Sequence, residues 1–233
     1  MKIWEKIVEG MNGLGIAGLL GLTSPPADDG AHPGLREIGF TVGVIALGAK
    51  MAHVDGDVSD AEVEAFRQFF QVPQGEERNV ERFFNLAKRD AAGFEIYARQ
   101  VAQLFPDAPE ILEGVIEGLF DIAKAHGEVD AAEADYLAKV ARIFGLDSAR
   151  FERARAAALG VVECEACTIL GVDPLATDEQ IREVWLALVR ANHPDRLTAQ
   201  GLPEEAIAIA TRKLAVINDA YDRLRRERGL VAA

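Results

Sequence analysis

At 233 residues, with 49% hydrophobic and 27% charged side chains, the chain can build one large or two small domains with real cores, and its composition is not that of a disordered protein. Its formal net charge of −13 is uneven: residues 1–162 hold 16 basic and 26 acidic side chains, a balance of −10, whereas residues 163–233 hold 9 and 12, a balance of −3. So acidic a surface repels phosphate backbones and argues against a nucleic-acid ligand, and the sequence carries no P-loop, G-x-S-x-G or H-E-x-x-H pattern that would suggest an independent enzyme.

Residues 1–34 read as an apolar, glycine-rich segment and linker. Met1 to Met11 set Ile3, Trp4, Ile7, Val8 and Met11 on one helical face, and Asn12 to Leu22 is apolar but holds four glycines before Pro25-Pro26. The uninterrupted apolar run is about a dozen residues, short of the ~20 that span a bilayer. It also lacks the small-residue exit of a cleavable signal. The expectation is a helix packed on its own domain or a partner; a peripheral membrane contact ranks second and a true span third.

From Gly34 to Ala158 the pattern is helical throughout, and it contains an internal repeat. Gly56-Asp57-Val58-Ser59-Asp60-Ala61-Glu62 recurs 71 positions later as Gly127-Glu128-Val129-Asp130-Ala131-Ala132-Glu133. Each copy lies between two apolar helical segments. The glycine can end the first helix, Ser59 or Asp130 can cap the second, and Glu62 or Glu133 can complete a capping box. The valine can plug the corner. Two such units make a duplicated helical bundle. The repeated acids also raise a metal hypothesis, with Asp55, Asp57, Asp60 and Glu62 in one corner and Glu128, Asp130, Glu133 and Asp135 in the other. An EF-hand counted from Asp55 needs glycine where Asp60 stands and glutamate where Phe66 stands, so that geometry fails. A hard-cation site shared by the corners is the remaining form of the hypothesis, against capping and solvated acidic faces.

This repeat resembles the tellurite-resistance TerB domain over about residues 35–158. A short connection, 158–163, follows without a Gly/Ser/Pro tract, which implies that the next unit is held at a fixed place. Cys164 and Cys167 form the one C-x-x-C. Zinc needs two more ligands and a thioredoxin-like role needs a strand-turn-helix setting, so packing at the junction is the expected role.

The last third holds two helical stretches around His193-Pro194-Asp195. Asp178 to Ala191 places Ile181, Val184, Trp185 and Leu188 at helical spacing behind Thr177 as N-cap, and Glu204 to Arg226 carries Ile207, Ala210, Leu214, Ile217, Tyr221 and Leu224 at steps of three and four. The two stripes should face each other. Pro194 removes a backbone donor and drives His193 out of the helical region, so the first helix must stop and the tripeptide must lie on an exposed connector. A short apolar segment, Cys167 to Val172, precedes the pair.

Ile169-Leu170-Gly171-Val172, Asn192-His193-Pro194-Asp195-Arg196-Leu197, Gly201-Leu202-Pro203 and Ile217-Asn218-Asp219-Ala220-Tyr221 together resemble the J domain of DnaJ-type co-chaperones, over residues 163–230 and in the form found in DjlA-like proteins. The TerB-like domain also precedes the J domain in DjlA-like proteins. The resemblance implies an all-α fold, a TerB-like bundle followed by a J-domain hairpin. It implies a DnaK-type chaperone as partner, whose ATP hydrolysis is stimulated, with His193, Pro194 and Asp195 at the contact and Arg182, Arg190 and Arg196 as the cations beside it. It implies no cofactor and no catalysis by this chain, and it leaves an unidentified client to the TerB-like domain. DjlA-like proteins start with a membrane anchor, and Met1 to Gly10 resembles the beginning of a shortened one, so the expected place is the cytoplasm or the inner face of the membrane. One departure stands out: Trp185, Leu186 and Ala187 lie where the family has an aromatic and a basic pair, which implies slower or weaker docking. The alternative function is a metal-responsive stress module built on the paired acidic corners.

Overall fold

The computed structural model describes residues 33–51, 93–160 and 165–229, with single positions between 61 and 87. Helices α1 (Pro33–Met51), α2 (Phe94–Leu104), α3 (Pro109–Ala123), α4 (Ala131–Ile143), α5 (Ser148–Leu159), α6 (Glu165–Leu170), α7 (Asp178–Ala191), α8 (Pro194–Ala199) and α9 (Glu204–Glu227) follow in order. No strand occurs among the described residues, and the fold is all-α. Residues 1–32 and the first repeat corner, including Asp55, Asp57, Asp60 and Glu62, lie outside the described residues.

The second repeat corner has the predicted form. After α3 the chain makes one 3₁₀ turn, Lys124–His126, and Gly127 takes φ of 151°, a region closed to side chains with a Cβ. Asp130 then caps α4: its Oδ1 accepts from the Glu133 amide at 2.8 Å, and Glu133 Oε2 accepts from the Asp130 amide at 2.9 Å. Val129 packs against the core. Both donors at this helix end are therefore satisfied locally, which contributes about 1 kcal/mol.

Aromatic side chains join the helices of the first core. Phe40 of α1 meets Phe105 edge-on at 5.1 Å, Phe94 of α2 meets Tyr136 of α4 at 4.6 Å, and Phe120 of α3 meets Phe151 of α5 at 5.7 Å. The Tyr136 hydroxyl donates to the Leu47 carbonyl at 2.8 Å, so α4 is also fastened to α1. Helix α3 is buried along most of its length, as befits a helix covered on several sides.

The C-terminal hairpin forms a second core from Ala166, Cys167, Ile169, Leu170, Ile181, Ile217, Ala220 and Leu224, joined by Ala156 of α5. Cys167 is buried there and disulfide-bonded. Thr177 caps α7 through a reciprocal pair with Gln180, and Trp185 stacks on Tyr221 at 4.3 Å with its Nε1 donating to Asn218 Oδ1. Arg228 closes the far end, donating to the carbonyls of Pro174 and Ala176 and to Asp178.

The two cores share one helix. Leu197, Leu202, Ala206, Ile209 and Ala210, all from the hairpin, belong to the first core, whereas Ile217, Ala220 and Leu224 of the same α9 belong to the second. One close approach is at Gly114 of α3, where an added Cβ would overlap Ile209 Cγ2. Gly114→Ala is therefore expected to lose stability even though alanine is the better helix former: the gain of about 1 kcal/mol in propensity is outweighed by overpacking of about 1–3 kcal/mol. Urea unfolding of Gly114→Ala, Ile209→Ala and the double variant checks this, since the Gly114 penalty should vanish once Ile209 is truncated.

Candidate partner-docking corner

The tripeptide lies on an exposed connection after a helix stop, as the sequence predicts, and it also opens a short helix there, which makes the connection a helix–helix corner. Helix α7 stops at Ala191, His193 becomes the N-cap of α8, Pro194 occupies the first helical position and Asp195 the first turn. Proline fits that position because its missing N–H has no partner there in any case. His193 Nδ1 accepts from the Asp195 amide at 3.2 Å and lies 3.8 Å from Asp195 Oδ2. Both side chains remain outward: that of His193 is 48% exposed and that of Asp195 93%.

Both flanks of the corner are anchored inward. Asn192 is buried, and its Nδ2 donates to the Leu188 carbonyl at 2.8 Å. Leu197, two residues after Asp195, is fully buried in the first core. Arg196 bends back across the tripeptide: Nη1 donates to the Ala191 carbonyl at 2.8 Å and reaches Glu110 Oε1 of α3 at 3.4 Å. Of the three expected partner-facing cations, Arg196 is thus already engaged within the chain. Arg182 and Arg190 are exposed on α7, eight residues apart, which is about 12 Å of helix rise. Arg190 sits beside the corner. Arg182 instead lines a groove of about 360 Å³ with Asp178, Ile181, Tyr221, Leu224 and Arg228, away from it.

Beneath the corner lies a charge cluster that hydrophobic periodicity missed. Glu110, Glu113, Glu117 and Asp121 recur at steps of three and four along α3. Glu113, 2% exposed, takes Lys213 Nζ of α9 at 2.8 Å, Arg153 Nε at 3.0 Å and Arg150 Nη1 at 3.1 Å. Lys213, 3% exposed, also donates to Glu117 at 2.9 Å. Burial raises the Glu117 carboxyl above its ordinary pKa, partly offset by the Lys213 ammonium, and burial likewise raises Asp121 against the opposing charge of Lys124. The available signal was an acidic row on an otherwise apolar helix, since buried carboxylates require cationic partners.

The metal candidates of the second corner are otherwise employed. Asp130 and Glu133 form the capping box, Asp135 pairs with Lys139 at 2.6 Å, and Glu128 is exposed. No group of three or more His, Cys, Asp or Glu side chains among the described residues is placed to hold an ion. The hypothesis of a cation site shared by the corners is thus not supported at this corner, where the acids serve as the caps and solvated surface charges weighed against it. Nor is any helix among the described residues long and apolar enough to cross a membrane.

Residues 41–156 match the family model of the tellurite resistance protein TerB. The chain is similar to the co-chaperone protein DjlA of Coxiella burnetii, at 26% identity covering 84% of this chain and 80% of that protein, and to that of Photobacterium profundum, at 24% identity covering 83% and 79%. With the DjlA of Shewanella oneidensis the identity is 34%, over 52% of this chain and 51% of that protein. No solved structure matches.

Proposed function

The chain is a DjlA-like protein with a TerB domain over residues 41–156, and on that premise we propose that residues 163–230 act as a J domain that stimulates ATP hydrolysis by a DnaK-type chaperone. The observation that carries this reading is the corner itself. His193 and Asp195 point outward at the tip of an antiparallel hairpin, while Asn192 and Leu197 on either side are buried. A contact built this way keeps its shape before the partner arrives and loses little entropy on docking.

In this reading the chain performs no chemistry, because the hydrolysed ATP sits on the partner. Asp195 supplies the charge for a cationic group of the ATPase, His193 and Pro194 set the turn, and Arg190 adds an exposed cation beside it. Arg182 contributes only to a contact that extends along α7. Leu186 and Ala187 leave the middle of α7 without a basic pair, which favours a slower encounter and steeper loss of docking with salt than a more cationic helix would show. The TerB domain holds the corner in place and provides the surface for a client. The protein works in the cytoplasm or at the inner face of the membrane, where its ATPase is.

Single-turnover ATP hydrolysis by a DnaK-type chaperone from the same source tests the proposal. The wild-type chain should accelerate hydrolysis, and His193→Gln, which perturbs an exposed N-cap and leaves both cores intact, should abolish the acceleration with the melting temperature nearly unchanged. A folded wild type without effect would sink the proposal.

A further inference from the structure

We infer that Glu110 of the TerB domain is a positioning residue for the His193-Pro194-Asp195 corner, acting through Arg196. The inference rests on the J-domain reading and extends it across the domain boundary. Arg196 follows the tripeptide and Ala191 precedes it. A single Nη1 joins them at 2.8 Å and reaches out to Glu110 Oε1 at 3.4 Å. The guanidinium therefore staples the corner shut, and Glu110 fixes the direction of the staple. Glu110 is itself held: its side chain is 10% exposed in the first turn of α3, next to Pro109 at the helix start. A carboxylate there is also favoured by the helix dipole.

The same contact explains why the corner faces solvent. Leu197 enters the first core behind it and Arg196 is drawn toward α3, so the backbone just before them leaves His193 and Asp195 on the outer side. Were the TerB domain masking the corner, these two side chains would be covered. The domain presents the tripeptide instead. Loosening Arg196 should lower the fraction of molecules with a docking-competent corner, and the apparent affinity falls by that fraction while the stimulated rate at saturation stays the same.

The test uses the full chain with Glu110→Ala and Glu110→Gln, the glutamine keeping a side-chain carbonyl that can accept from Arg196. For Glu110→Ala, the concentration giving half-maximal stimulation of a DnaK-type ATPase should rise about two- to fivefold, as befits a half-exposed ion pair, with the plateau unchanged. Glu110→Gln should recover most of that shift. In the isolated protein, amide exchange at Leu197, whose N–H donates to the His193 carbonyl at 3.2 Å, should accelerate in Glu110→Ala while exchange in α7 does not. A purely structural role would move the melting temperature and exchange throughout α3 and would leave the two concentrations equal. If wild type stimulates and Glu110→Ala matches or exceeds it, the assignment of Glu110 is overturned and the J-domain reading stands; if wild type does not stimulate, both fall.

Discussion

Glu113→Ala is expected to lower the stability of the chain by about 3–5 kcal/mol, the cost of removing one partner from a buried charge cluster. The carboxylate meets Lys213, Arg153 and Arg150 within 3.1 Å, and two of those three cations have little access to water. Without it, among the described residues Lys213 keeps Glu117 alone and Arg153 keeps no paired carboxylate. The penalty is mostly the uncompensated burial of charge, not the lost attraction between the original ions. An exposed pair supplies the internal control. Glu152 and Arg155 lie 2.6 Å apart on α5 with both side chains well solvated, so Glu152→Ala should cost less than about 1 kcal/mol. Urea midpoints for the two variants, measured with unchanged denaturant slope, give the comparison. Equal losses would mean that depth of burial does not govern these ion pairs.

Leu197→Ala is expected to cost about 2–5 kcal/mol, the range for a truncated core leucine whose surroundings close only partly. Leu197 has no solvent exposure and packs in the first core although it belongs to the hairpin. Its loss should therefore do more than open a cavity. The helix α8 that begins at Pro194 is a single turn and half again, and Leu197 is its buried residue. Thermal unfolding should show the loss of stability. At a temperature where the variant is still folded, stimulation of a DnaK-type ATPase should also weaken, because one of the two inward anchors of the corner has gone. Full stimulation by a destabilised variant would show that the corner keeps its shape without this anchor.

Much of the architecture was legible in the residues. The capping box at Asp130 and Glu133, the Thr177 cap, the facing stripes of α7 and α9 and the helix break before Pro194 all follow from local chemistry, and each occurs where local chemistry put it. The differences arise where one element touches two others. Periodicity selected Ile207 and Leu214 for the buried face of α9, whereas Ile209 and Lys213 are the more deeply buried. The N-terminal half of α9 is covered by α3 as well as by the hairpin, and this second cover widens the buried face toward the acids of α3. A lysine looks like a solvent residue until its carboxylates are known, and those lie 96 and 100 positions upstream in the sequence. At the described corner the capping role read for Asp130 and Glu133 is the one they have, and Asp135 pairs with Lys139.

The course of α9 through both cores also bears on how such a chain can be rearranged by recombination. A crossover placed at the connection near residue 163 would deliver a complete hairpin, yet Leu197, Leu202, Ile209 and Lys213 would arrive with a surface cut to fit the bundle of their former neighbour. Grafted onto an unrelated domain, that face would be wet, greasy and carry a stranded ammonium group. The hairpin and the bundle therefore work as a fitted pair, in which a change at Gly114 or Glu113 is felt at Ile209 or Lys213.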